Sequence, residues 1–516
     1  MAQAGERERI LHAARMLSVV AIALCAGCAP PSLAGRTATS ALQGTATTRL
    51  GRATTELVAP HPGESGVHPL AAGEDAFAAR GLLAAAAERS IDAQYYIWHD
   101  DVTGRLLLEA LCQAADRGVR VRLLLDDNNT AGLDPTIAAV AAHPNVEVRL
   151  FNPLVNRQMR WTNFLFDFSR INHRMHDKSF TVDNQVTVLG GRNVGDEYFA
   201  AGDDVTFADL DVIAVGPVVQ DVSGTFDRFW NSASSYPAAS LVGRATDKER
   251  AALTAHFAAT HADPRAAKYI EILRHSGLVE QLRTGTLALE WATAHLVSDD
   301  PGKVFSAERD LLLLPQLLQI AGPPSSRFDV VSPYFVPAKQ GTTAFAAMSR
   351  RGVKIRVLTN SLASNDVSAV HAGYSKSRKS LLRAGVKLYE LKHAGEAGAA
   401  AGHPHGSSAA LHAKTFQIDG SRVFVGSFNF DPRSARLNTE LGLVIESPRL
   451  ALRLQGFFDR DVTTRAYEVT LDAAGSLQWS DAAAGGPRIY HVDPGTSAWR
   501  RGVVEMLSLL PIDWLL

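Results

Sequence analysis

The sequence predicts an α/β protein of two homologous halves that together build one active site. Two observations carry this reading. The pattern H-x-K, four residues, D, six residues, G-[GS]-x-N occurs once from His176 to Asn193 and again from His412 to Asn429. The apolar segments around it also recur in the same order, as expected of a duplicated β-α-β-rich unit. Bulk composition agrees: 516 residues, 46% hydrophobic and 20% charged, is ordinary globular material and enough for several domains. The formal net charge of −1 provides no overall basic field for a nucleic acid.

The chain opens on a targeting segment. Arg7, Arg9 and Arg15 precede the apolar run from Met16 to Leu24, which is too short to span a bilayer but suits a signal-peptide core. Cys25-Ala-Gly-Cys28 follows. Residues 29–65, rich in Ala, Thr, Gly, Pro and Ser, read as a flexible tether. Only three cysteines occur, too few for a disulfide framework, and Cys112 reads as a packed helix residue.

Regular structure is expected from about residue 74. Ala76–Ala87 reads as a helix, Ile91–Trp98 as a strand and Leu106–Arg117 as a helix ended by Gly118. Buried strands follow at Val119–Leu125 and Val146–Leu150. In the second half Phe328–Phe335, Arg351–Leu358 and Val386–Glu390 take the corresponding places. The resulting divisions are a first domain over 66–245, a mostly helical connector over 246–320, a second domain over 321–465 and an extension over 466–516. His393–Ala410, full of Gly, Ala and Ser, reads as a loop ahead of the second motif.

Each motif begins on a strand, where side chains at i and i+2 share a face, so His176 points with Lys178 and His412 with Lys414. Asp183-Asn184 and Asp419-Gly420 look like tight hairpin turns, which makes scaffolding the first reading of both aspartates. Two His, two Lys and the amides of Asn193 and Asn429 suit an anionic target with several oxygens, best a phosphate. Two imidazoles supply a nucleophile and a proton donor near neutral pH. No Cys/His or carboxylate cluster suggests a metal.

On these residues the chain resembles the phospholipase D superfamily, defined by paired H-x-K-x4-D motifs. Asn172–Lys178, Gly190–Phe199, Asp209–Val212, Ser332–Pro337, Asp431–Ser434 and Asn438–Leu441 make it similar to the bacterial cardiolipin synthase C-like group. The resemblance implies two α-β-α sandwich domains related by a pseudo-twofold axis, with the active site at their interface. It also implies cofactor-free ping-pong catalysis, with Asp183 and Asp419 counted among the motif residues. His176 would attack phosphorus and His412 would protonate the leaving alcohol, the reverse assignment remaining open. Lys178, Lys414, Asn193, Asn429 and Ser427 would hold phosphate oxygens. An acid downstream of each histidine would orient its ring: Glu440 after His412, and Asp211 as its first-half counterpart. Ser427 stands where the first motif has Gly191, so the halves differ there.

The implied partners are phospholipids, phosphatidylglycerol and phosphatidylethanolamine among them, at a membrane surface. The implied reaction is phosphatidyl transfer to make cardiolipin; a hydrolase releasing phosphatidic acid is the rival. A nuclease-type phosphodiesterase and a non-catalytic envelope scaffold fit less well, and no partner protein is indicated. Cys28 resembles a bacterial lipoprotein lipidation site, although Cys25 stands where Leu is usual. That places the chain in the bacterial cell envelope, lipid-anchored and facing the periplasm, with an uncleaved anchor or simple secretion as alternatives. Two apolar stretches remain. Phe164, Phe168 and Ile171 fall at helical spacing and are expected to pack in the core, the alternative for Trp161–Phe168 being an acyl groove or a bilayer surface. Val503–Leu516, with Trp514, is expected either on a membrane or against the body.

Overall fold

The computed structural model describes residues 30–34, 36–202, 205–306, 308–365, 367–393, 408–482, 486, 488–511 and 515. Cys28, Trp514 and most of the loop before the second motif lie outside the described residues.

The first half contributes strands β1 (Ser65–Leu70), β2 (Ser90–Ile97), β3 (Arg120–Asn129), β4 (Val146–Phe151), β5 (Ser179–Val182), β6 (Val186–Gly190), β7 (Val205–Ala208), β8 (Asp211–Val215), β9 (Ser235–Pro237) and β10 (Glu290–Ala292). The second contributes β11 (Ala294–Ser298), β12 (Arg327–Val331), β13 (Lys354–Asn360), β14 (Lys387–Leu391), β15 (Ser408–Leu411), β16 (Lys414–Ile418), β17 (Arg422–Gly426), β18 (Leu441–Ile445), β19 (Ala466–Leu471), β20 (Leu477–Asp481) and β21 (Arg488–Tyr490). One sheet runs β10-β1-β8-β6-β5-β2-β3-β4-β9 and the other β11-β18-β17-β16-β12-β13-β14-β19-β20-β21. Their centres superpose in order: β2-β3-β4 and β12-β13-β14 are the parallel cores, and the motif hairpins β5-β6 and β16-β17 lie beside them. This is the duplicated α/β architecture that the repeated segments predict.

Local rules account for the matching corners. The helices Val102–Asp116 and Ala338–Arg350 both end in Arg-Gly-Val, with Gly118 at φ 91° and Gly352 at φ 92°, a left-handed turn that costs glycine nothing. The hairpin residues Asp183 (φ 51°), Asn184 (φ 53°), Asp419 (φ 54°) and Gly420 (φ 66°) take the two consecutive positive φ values of a type I′ turn. The carboxylate of Asp183 accepts from the backbone N–H groups of Glu88, Arg89 and Ser90. Asp419 accepts from those of Ser325, Ser326 and Arg327. Each motif aspartate therefore ties its hairpin to the start of the neighbouring parallel strand.

The two halves are fused. An apolar cluster draws Val67, Leu189, Val212 and Val218 from the first and Val423, Val425, Leu441 and Leu443 from the second. The chain passes from one sheet to the other between β10 and β11, so the segment expected to be helical adds an edge strand to each sheet after its helices Asp247–Ala262, Pro264–Arg274 and Gly277–Thr284. These strands of three and five residues are too short to announce themselves by period. The sheet of the second half likewise continues beyond residue 465 through β19, β20 and β21, and the helix Ala498–Ser508 packs on Ser368–Arg383 through Val504 and Leu507.

Two expectations are corrected. The stretch read as a tether carries the helix Arg49–Val58, and its residues 36–41 are docked on the first half. Arg36 donates to the carbonyls of Asn231 and Ser235, Arg149 to that of Thr37 and Arg122 to that of Thr39. The segment before the first motif is broken into one-turn helices, Asn163–Phe166 and Phe168–Ile171, with Asp167 out of the helical region at φ −144°, ψ 35° between them. The helical spacing of Phe164, Phe168 and Ile171 is thereby lost: Ile171 is buried, whereas Phe164 and Phe168 are exposed.

The turn reading of Asp183 makes a prediction. Asp183→Ala strips three N–H groups of a charged acceptor and should lower unfolding free energy by about 3 kcal/mol, read by urea denaturation. Turnover of the folded fraction should stay within about threefold of wild type; its loss in a variant of native stability would return Asp183 to the chemistry.

Candidate active site

Each motif histidine is held by an acid from the opposite half. His176 Nδ1 lies 2.8 Å from Glu440 Oε2, and His412 Nδ1 lies 2.6 Å from Asp209 Oδ2. Backbone pairing enforces the exchange. The N–H of His176 donates to the Thr439 carbonyl, and the N–H of Thr439 donates to that of Arg174. The N–H groups of His412 and Ala413 both donate to the Ala208 carbonyl, continuing the parallel pairing of β15 with β7. The acid-bearing segments thus cross the interface as strands, and their carboxylates arrive beside the histidines by register.

This geometry corrects both orienting assignments. Glu440 serves His176, not His412. Asp209, not Asp211, serves His412. Asp211 is buried two positions on, where Arg80 donates to it at 2.9 Å and the N–H of Arg192 at 3.2 Å. The registers explain the slip. Gly190 faces Asp211 across β6-β8, whereas Gly426 faces Gly442 across β17-β18, so Glu440 is equivalent to Asp209. Alternating strand patterns look the same after a two-residue shift, which left sequence comparison blind to it.

The Gly191/Ser427 difference now has a cause. A Cβ on Gly191 would sit 2.1 Å from Asp209 Oδ1, so only glycine leaves room for that carboxylate. In the second half Ser427 Oγ donates to Glu440 Oε2 at 2.5 Å and Ser434 Oγ to Oε1 at 2.6 Å. Ser427 is therefore directed at the acid rather than into the phosphate position. The asparagines diverge as well. Asn193 Oδ1 accepts from the Ile97 N–H and Nδ2 donates to the Tyr198 hydroxyl, so both its ends are engaged. Asn429 Oδ1 is buried with no hydrogen-bond partner among the described residues.

Lys178 and Lys414 are buried beside their histidines, each donating to the backbone carbonyl of its own motif histidine. Lys414 Nζ is also 2.9 Å from His412 Nδ1. Aromatic rings complete the walls: Tyr96 meets His176 edge-on at 5.1 Å, Tyr198 meets His412 at 5.1 Å and Phe207 stacks on His412 at 5.2 Å. Sequence reading missed Tyr96, Tyr198, Phe207, Ser434 and Thr439. Only Tyr198 and Ser434 could have been found there, since both lie five residues beyond their motif asparagines.

Burial dominates the electrostatics of the site. Burial pulls His176 well below its ordinary value, and Lys178 and Lys414 add to the shift. Burial and Lys414 bring His412 down to about 4. Burial brings Lys178 down to about 7 and pushes Glu440 up to about 7. Asp209 behaves differently: burial pushes its carboxyl up, but His412 and Lys414 outweigh that and hold it below the usual carboxylate range. The His176–Glu440 contact thus joins two groups near neutrality, while His412 faces a firmly ionised acid. Among the described residues, the side chains of His99, Asp101 and Glu197 lie close enough together to share a cation. Asp101 is already engaged there, accepting from the N–H groups of Gly104 and Asp196, and the cluster reads as a hydrogen-bonded corner.

Comparison with known proteins follows the same lines. The family model described as "Cardiolipin synthase, PLD-like domain" matches residues 82–230 and 317–462. Cardiolipin synthase C of Escherichia coli (strain K12) is 49% identical over 91% of this chain and 100% of its own length. Cardiolipin synthase A of Pseudomonas entomophila (strain L48) is 27% identical over 78% of this chain and 69% of its own. The crystal structure of phosphatidylserine synthase from Haemophilus influenzae Rd KW20 shares the fold, with a TM-score of 0.55 at 11% identity, covering 90% of this chain and 100% of that one.

The depressed histidine gives a stability test. The unfolded chain protonates His412 near 6.5 while the folded site resists down to about 4, so this contribution is present above pH 6.5 and lost as pH falls. Glu440 acts oppositely, its contribution being lost as pH rises through about 7. His412→Gln removes only the first. Between pH 6.5 and 4.5 it should lose about 2–3 kcal/mol less stability than wild type, measured by urea unfolding; equal losses would contradict the assignment.

Proposed function

This chain belongs to the cardiolipin synthase family of phospholipase D-like enzymes, and on that premise we propose that it is a phosphatidyltransferase working through a phosphohistidine. His176 attacks the phosphorus of a phospholipid, the bond to the headgroup oxygen breaks, and His412 gives that oxygen its proton. A phosphatidyl-histidine remains. A second lipid's hydroxyl, deprotonated by His412, then attacks phosphorus and frees His176. Lys178 and Lys414 balance the charge on the non-bridging oxygens, and the arriving phosphodiester in turn keeps Lys178 protonated. With a phosphatidylglycerol hydroxyl as acceptor the product is cardiolipin.

The observation that carries the assignment of roles is the unlike pair of acids. A general acid must carry a positive imidazolium during part of the cycle, and ionised Asp209 stabilises that charge beside His412. A nucleophile must present an unprotonated nitrogen. His176 meets that need, since burial and the neighbouring lysines hold its imidazole unprotonated while Nδ1 contacts Glu440. Asn193 supports the reaction through Tyr198, which packs on His412. The burial of His176 and Lys178 supports transfer over hydrolysis, since water reaches a buried centre less readily. For location, the N-terminal segment supports a membrane-associated envelope protein with Cys28 as its lipid anchor.

Incubation with phosphatidylglycerol and phosphatidylethanolamine followed by lipid mass spectrometry should yield cardiolipin; phosphatidic acid alone would replace transfer by hydrolysis. His176→Ala and His412→Ala should each lower turnover by at least about 10³-fold. The roles separate on a phosphodiester whose leaving group departs unprotonated, such as p-nitrophenolate. His412→Ala should then recover headgroup release, and His176→Ala should not. Recovery by His176→Ala instead would reverse the assignment.

A further inference from the structure

The segment before the first motif presents large apolar side chains to solvent while its backbone is firmly anchored. Trp161 is 64% exposed, Leu165 66% and Phe166 62%, with Met159, Phe164 and Phe168 also exposed. Contiguous exposure of this kind marks an interaction surface. The anchoring argues against a loosely held loop. Arg157 ion-pairs with Asp127 and Asp134, and Arg160 pairs with Asp134 and donates to the carbonyls of Asp127 and Thr130. Asn163 Nδ2 donates to the carbonyls of Asn156 and Arg160, Asn156 Nδ2 to the Thr162 hydroxyl and Arg170 to Asn152 Oδ1. The arginine charges are answered by acids on the protein side, which leaves an outward face that is apolar and aromatic.

From this we infer that Met159–Phe168 is a preformed bilayer-docking surface that seats the active site on the membrane holding its lipid substrates. The proposal rests on the lipid reading of the site. Its geometry points to a bilayer because the anchored segment that carries this surface leads directly to the catalytic histidine. From Phe168 the chain runs through Ile171, which is buried, and Asn172, which accepts from Arg433 of the other half at 2.6 Å. It then reaches the pairing of Arg174 with Thr439 and so His176. Aromatic side chains with a polar edge, of which Trp161 is the best placed, sit well at the boundary of headgroup and acyl chain.

The test reads depth rather than binding, because the apolar run at the N-terminus could bind vesicles by itself. The full chain is mixed with phosphatidylglycerol/phosphatidylethanolamine vesicles containing acyl-brominated phosphatidylcholine, and its fluorescence is compared with that of Trp161→Phe. The difference signal, which is Trp161 alone among seven tryptophans, should fall below about half on lipid contact. An unquenched difference signal would overturn the proposal. A variant with Trp161, Phe164, Leu165 and Phe166 all changed to Ser should lose about tenfold or more of its turnover on vesicles yet stay within about twofold on monomeric short-chain phosphatidylglycerol. Unchanged vesicle turnover, together with conversion of a dimer to a monomer in light scattering, would give the surface to a second copy and overturn the bilayer reading. Should the chain turn over no phospholipid at all, the functional proposal fails, while the quenching measurement still decides the docking.

Discussion

The crossed pairing of His176 with Glu440 and His412 with Asp209 is the constraint around which the molecule is organised. A carboxylate buried without a partner costs several kcal/mol, and here each half buries an acid whose partner lies in the other. The halves therefore stabilise one another's polar groups and complete one another's catalytic groups through the same contacts. The exchanged backbone bonds, Thr439 with Arg174 and His176 and Ala208 with His412 and Ala413, set the carboxylate positions by strand register. Continuity of the chain from β10 to β11 and the shared apolar cluster hold that register.

Symmetry of fold then allows asymmetry of charge. Removing one Cβ at residue 191 brings a short acid close to one histidine, whereas a serine at 427 and another at 434 cradle a longer acid beside the other. Deep burial pushes Glu440 up to about 7 against the pull of its two serine hydroxyls, while His412 and Lys414 hold Asp209 below the usual carboxylate range. Two chemically identical imidazoles thus face acids in different environments, the condition for dividing attack from proton transfer. Both lysines are buried beside the histidines, where each donates to the carbonyl of its own motif histidine.

The remainder of the first half supports the placement of this centre. The motif aspartates sit at the far end of their hairpins and fasten them to the parallel core. The residues ahead of His176 combine inward arginine pairs with outward aromatics, which fixes the path of the chain into the cleft and shapes the rim around it. Residues 36–41, bound by Arg36, Arg122 and Arg149, join the N-terminal segment to the body close to its origin.

Much of this was legible in the sequence because the information was periodic and local. Duplication showed as a repeated string, the parallel-core strands as apolar runs, and the hairpins as Asp-Asn and Asp-Gly. His176, Lys178, His412 and Lys414 followed from the i, i+2 rule on a strand. Three things were decided only in three dimensions. The partner acid of each histidine lies in the other half, and a two-residue slip on an alternating strand leaves the pattern unchanged, so Asp209 could not be told from Asp211. Ser427 and Asn193 turn toward protein partners, which depends on side chains over ten residues away or on a ring across a turn. The aromatic stretch ahead of the first motif has a spacing that suits a buried helix, yet Asp167 breaks it and the charged anchors turn it outward. Sequence determines which groups exist and which face of an element they share; long-range register and burial determine what each one meets.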